Sequence, residues 1–69
     1  MTFADSIIQL RSELRISQKE LAEQLNISVA TVNRWENGRT MPNKMTVFVI
    51  RKYCEGHGLD FSYDEGVGT

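Results

Sequence analysis

Asn33 and Arg34 stand side by side and both carry directional hydrogen-bonding chemistry. A guanidinium offers two parallel donors, and a carboxamide offers donors beside an acceptor, so either can engage a flat polar edge through paired bonds. Bond-making chemistry has far less to draw on. Ser, His and Asp all occur, but no nucleophile, base and orienting group form a convincing set, so an enzyme with catalytic residues is not expected. Cys54 is the only cysteine and His57 the only histidine, which excludes an internal disulfide and a metal site built from one chain. No cofactor is called for. What remains is recognition.

The segment that must position these two side chains, Gln18 to Asn37, reads as two short helices around a tight turn. That arrangement can carry one helix into the major groove of DNA. Ser17 and Glu20 fit a capping box at the start of the first helix, with Ile16 and Leu21 spaced as a hydrophobic staple. Leu21, Ala22 and Leu25 give it an apolar face, and Ala22 is small where the two helix axes would cross most closely. Ser28 caps the second helix, over about 28–37, with Ile27 and Val32 as its staple and Val32 and Trp35 as its inward stripe. Asn26 stands where the chain must turn sharply and tolerates left-handed backbone angles. Gly38 follows the second helix at a position suited to a left-handed cap.

The other elements follow from the same signals. A first helix from Phe3 to Leu14 is marked by Phe3, Ile7, Leu10 and Leu14 at helical spacing, with Thr2 and Asp5 as a capping pair. The stretch NGRTMPN, Asn37 to Asn43, reads as a loop. The run Thr46 to Ile50 is β-branched and aromatic, which alone favours a strand. Partner strands are lacking, however, and Asn43 can cap a helix over Lys44 to Glu55 whose face would be Met45, Phe48, Val49 and Tyr53. Phe48, Tyr53, Cys54 and Trp35 are assigned to the core, and His57 is given no partner. The expected fold is all-α, a compact bundle of four short helices with room for a fifth.

Sixty-nine residues suffice for one small domain, near the lower limit for folding on a single core. A division into a domain at 1–56 and an acidic, glycine-containing tail at 57–69 follows the charge. Residues 1–54 hold all eight Lys and Arg against five acids, whereas 55–69 hold Glu55, Asp60, Asp64 and Glu65 and no Lys or Arg. The formal net charge of −1 therefore averages a mildly basic body and an acidic end, and does not argue against a polyanionic partner. Leu59, Phe61 and Tyr63 alternate in the tail, as a short strand, a strip for a protein partner, or a frayed end with its rings on the body. No run is long and apolar enough to span a bilayer and no signal-peptide pattern opens the chain, so a reducing cytoplasm is the expected compartment.

ISQKELAEQLNIS, TVNRWENG and the later Pro42 together resemble the helix-turn-helix of the lambda-repressor-like (Xre-type) DNA-binding domains, which include phage repressors and Cro proteins. Gln18, Ala22, Val32, Trp35, Glu36, Gly38 and Pro42 stand in register without a gap, and the likeness covers about Ile7 to Tyr53. It implies sequence-specific binding of double-stranded DNA by a transcriptional regulator, usually a repressor and usually a homodimer. Members usually have five helices, so a chain with four leaves the dimer contact open. Carried over by position, the base-contacting face would be Val29, Ala30, Thr31, Asn33 and Arg34. Phosphates would be met by Gln18, Lys19, Ser28, Asn37, Arg39 and Lys44. Arg11 would pair with Glu36 to brace two helices.

Arg34 is then suited to guanine O6 and N7, and Asn33 to adenine. Val29 and Ala30 depart from the polar residues many relatives carry there; their natural target is a thymine methyl, which shifts weight toward DNA shape. Three other readings share the same residues: a protein-interaction module, an antitoxin, or the targeting domain of a larger regulator that meets a protein through the tail.

Overall fold

Four α-helices make up the described residues, 1–63, of the computed structural model: α1 (Phe3–Leu14), α2 (Gln18–Leu25), α3 (Val29–Glu36) and α4 (Lys44–Gly56). All four begin alike. Thr2, Ser17, Ser28 and Asn43 are extended residues whose side-chain oxygens accept from the N–H three positions on, at Asp5, Glu20, Thr31 and Thr46. At α2 the carboxylate of Glu20 also accepts from the Ser17 N–H at 2.8 Å, completing the capping box. Each cap satisfies a donor that the helix itself cannot.

All four also end alike. The N–H groups of Ile16, Ile27, Arg39 and Leu59 reach back five residues to the carbonyls of Arg11, Ala22, Arg34 and Cys54 at 2.9 to 3.1 Å. The residue before each of them is left-handed: Arg15, Asn26, Gly38 and Gly58, with φ of 57°, 60°, 70° and 72°. This is the Schellman termination, and it favours residues without a Cβ clash. Asn26 and Gly38 suit it. Arg15 does not, since a side chain in this conformation costs roughly 1–2 kcal/mol.

The core joins Phe3, Ile7 and Leu10 of α1 with Leu21 and Ala22 of α2, Val32 and Trp35 of α3, and Ile50 and Cys54 of α4. Trp35 is 3% exposed and meets the Phe3 ring edge-on at 5.6 Å. α3 packs on both α1 and α2, while α4 closes on α2. There the Tyr53 hydroxyl donates to Gln24 Oε1. Burial pushes the Cys54 thiol up to about 11, so it serves as an unreactive apolar group.

α4 is a helix, but its buried face is not the expected one. Ile50 and Cys54 point inward, while Met45, Phe48 and Val49 are exposed; of the expected stripe only Tyr53 packs on the core. Phe48 is 57% exposed, with Lys52 Nζ 5.4 Å from its ring centroid. Two apolar stripes lie side by side on this helix, and periodicity cannot choose between them. His57 also departs from expectation: its ring lies 4.5 Å from that of Tyr53.

Leu59, Phe61 and Tyr63 form neither a strand nor a free strip. They belong to no helix or strand and pack against the core, Phe61 and Tyr63 meeting Phe3 at 5.9 and 5.2 Å. Ser6 Oγ donates to the Ser62 carbonyl at 2.7 Å and ties the segment to α1. The acidic end expected at Asp64 and Glu65 lies outside the described residues. No helix among those residues is long and apolar enough to cross a membrane.

Trp35→Ala should destabilise the domain by about 3–5 kcal/mol through lost core volume. Phe48→Ala should change stability by less than about 1 kcal/mol, as for an exposed site. Urea unfolding of the two variants checks the assignment, which equal losses would overturn. Arg15→Gly should raise stability by up to ~1 kcal/mol, the left-handed strain released less the added flexibility of glycine in the unfolded chain. A thermal midpoint at or below that of the parent would contradict it.

Candidate nucleic-acid interface

A helix that reads another molecule must have one side anchored and the opposite side free. At about 100° per residue, Val32 and Trp35 direct one side of α3 into the core, where both are buried. Val29, Ala30, Asn33 and Arg34 fall on the opposite arc and are all exposed, Val29 at 46%. They span five residue steps of the axis, ~7.5 Å. Thr31 falls between the two sides and is half-buried. Its hydroxyl lies 2.9 Å from that of Ser28, whose Oγ also accepts from the Thr31 N–H at 3.1 Å. Thr31 thus lies at the edge of the outward set, with its hydroxyl engaged in the cap of α3.

The far end of α3 is held by Glu36. Its side chain is 8% exposed and accepts from Arg11 Nε at 2.5 Å, Arg11 Nη2 at 2.9 Å and Gln18 Nε2 at 3.0 Å. Arg11 Nη1 donates in turn to the Ile16 carbonyl at 3.1 Å. One carboxylate therefore joins α1, the start of α2 and the end of α3. Burial alone would raise its pKa, but the hydrogen bonds from Arg11 and Gln18 and the guanidinium charge outweigh that, and the net shift is downward. The same hydrogen bond holds Arg11 protonated against a smaller cost of burial.

Gln18, expected to reach a phosphate, has part of its amide already committed to Glu36. Asn37 is likewise occupied. It closes α3, and its Nδ2 donates both to the Asn33 carbonyl at 2.9 Å and to Asn33 Oδ1 at 3.1 Å. The spacing of four residues on a helix was the signal for this pair, and sequence reasoning passed over it. Lys19, Ser28, Arg39 and Lys44 are exposed, Lys44 as the first residue of α4. Among the described residues, Lys19, Arg34, Arg39 and Lys44 make no ion pair. The acids nearest in sequence are engaged, Glu20 in its cap and Glu36 with Arg11. These cations are therefore free to meet an anion.

Comparison with known proteins points the same way. A helix-turn-helix family model matches residues 7–60. Over 53 residues, 77% of this chain, the sequence is 36% identical to the HTH-type transcriptional activator BcrR of Enterococcus faecalis. Over 52 residues, 71% of this chain, it is 36% identical to the type II methyltransferase M1.ScrFI of Lactococcus lactis subsp. cremoris. These matches span only 26% and 13% of the two relatives, so the methyltransferase activity does not transfer with the similarity. No solved structure matches significantly.

The depressed pKa of Glu36 makes a signed prediction. Its folded value lies below its unfolded one, so its contribution to stability is complete above the ordinary carboxylate range. It is lost as the pH falls through the folded value. Glu36→Gln should cost about 1.5–3 kcal/mol at neutral pH, the size of hydrogen bonds to a charged group. The difference should shrink toward acid in paired denaturation curves. A gap that stays constant with pH would mean that the charge of Glu36 does not support the fold.

Proposed function

Because this chain belongs to the lambda-repressor-like helix-turn-helix family of DNA-binding regulators, we propose that it binds duplex DNA sequence-specifically as a homodimer, with α3 in the major groove. The observation that carries this reading is the exposed arc of α3, Val29, Ala30, Asn33 and Arg34, fixed from behind by Val32 and Trp35. Arg34 has no partner of its own among the described residues, and its guanidinium matches the paired acceptors of guanine. Val29 and Ala30 suit thymine methyls, and their lack of hydrogen-bonding groups gives DNA shape a large share of the selectivity. Lys19, Ser28, Arg39 and Lys44 hold the register on phosphates, as do the unbound atoms of Gln18 and Asn37.

So few cations per subunit give weak monomer binding at physiological salt. Two linked subunits offset this, because the second engagement is intramolecular. The corresponding site has two half-sites about one turn, ~34 Å, apart. Occupying a promoter in this way represses it. The Enterococcus faecalis relative is named as an activator, so the sign is read from a reporter fused to the bound site. A second reading, a targeting module within a longer regulator, draws support from the small share of each relative that the chain covers. The tail strip at Leu59 to Tyr63 supports a protein partner less, since its rings are spent on the core.

Selection of bound sequences from a random duplex pool at two ionic strengths tests the proposal. A two-fold motif should emerge, with affinity falling steeply as salt rises. Arg34→Ala should relax preference at one base position by about tenfold. Arg39→Ala should instead weaken all sequences alike and flatten the salt slope by about one. Identical effects of the two substitutions on every sequence would refute base reading by Arg34, and the absence of any enriched motif would refute the function.

A further inference from the structure

We infer that Asn37 is a positioning residue that locks the carboxamide of Asn33 with its NH2 group facing outward, so that this point of α3 selects a base edge made of acceptors. The inference rests on the proposed placement of α3 in the major groove and specifies what one position there reads.

The argument turns on which atoms can face each other. A backbone carbonyl can only accept, so the side-chain atom of Asn37 that lies 2.9 Å from the Asn33 carbonyl is its nitrogen. That nitrogen has a second hydrogen, and the atom 3.1 Å away on the Asn33 side chain must therefore be the oxygen. Turned the other way, Asn33 would set two NH2 groups against each other. The Asn33 carbonyl fixes the amide of Asn37, and Asn37 fixes the amide of Asn33. The carbonyl also accepts from the Asn37 backbone N–H at 3.0 Å, which holds the two residues in register. Asn33 Nδ2 has no acceptor among the described residues and remains available.

A donor-only group sets cytosine apart, since adenine N7 and thymine O4 each still offer it one acceptor. In the major groove guanine presents two acceptors, N7 and O6, while cytosine presents only a donor. The paired bond to adenine, considered above for Asn33, needs the carboxamide oxygen facing outward beside the nitrogen. Asn37 holds that oxygen, so guanine becomes the favoured partner and cytosine the excluded one. The specificity of Asn33 thus depends on a neighbour one helical turn away.

Asn37→Asp tests this, because a carboxylate cannot donate. Its oxygens cannot face the Asn33 carbonyl, so the side chain turns toward the Asn33 amide, accepts from Nδ2 and sets Oδ1 outward. The preferred pair at one position of the selected motif should then invert from G·C to C·G, with the ratio of the two changing by about tenfold or more. Asn33→Asp should give the same inversion at the same position. Asn37→Ala, which leaves Asn33 free to turn, should reduce discrimination there without inverting it. The added charge weakens binding to every sequence, so the readout is the base ratio at that position, and unchanged circular dichroism shows that the variants fold. An Asn37→Asp protein that keeps the parent motif while binding all duplexes more weakly would overturn the inference and leave Asn37 as a backbone contact. Parent protein that enriches no motif would overturn the underlying DNA-binding proposal, a separate outcome.

Discussion

The fold depends on keeping one nearly buried carboxylate neutralised. Glu36 ends α3, where the partial negative charge of the helix terminus already disfavours an acid, and its side chain has little water around it. Three hydrogen bonds from Arg11 and Gln18 offset both costs. The guanidinium can reach Glu36 only if α1 crosses α3 in one register, and Gln18 only if α2 starts beside the end of α3. Meeting the demand of a single side chain therefore fixes three helices relative to one another. It also removes an acid from the outer surface, so that the free side chains of α3 and the following loop are neutral or basic.

On the proposed reading, that surface divides into two kinds of chemistry along its length. The start of α3 presents Val29 and Ala30, which offer shape and apolar contact. Its end presents Asn33, Arg34 and Asn37, which offer directed hydrogen bonds. A reader built this way recognises few base edges directly and relies on the DNA to adopt a suitable groove. The committed amides of Gln18 and Asn37 belong to the same economy. Their nitrogens stabilise the protein's own geometry, leaving less for phosphates and making a second subunit more important.

Much of the fold was legible in the sequence because capping chemistry is local. Thr2, Ser17, Ser28 and Asn43 each announce a helix by residue type and offset, and all four serve as expected. Asn26 and Gly38 announce two of the stops. Arg15 could not, since nothing in an arginine suggests a left-handed backbone; the demand comes from packing Ile16 against the core. The buried side of α4 was misplaced for a related reason. Met45, Phe48 and Val49 are as apolar as Ile50 and Cys54, and only the packing of the other helices decides which stripe is covered. At the interface, the exposed arc of α3 followed from Val32 and Trp35, but the Asn33–Asn37 pair required knowing where two amides point.

Four helices that all start by signals within a few residues of their ends have a further consequence. Most helix ends are encoded beside the helix they bound, so much of the chain can organise before the segment at 59–63 closes on α1. Topologies of this kind have low contact order and fold in microseconds to milliseconds. Such a domain can emerge from the ribosome and assemble before the rest of any longer chain has been made.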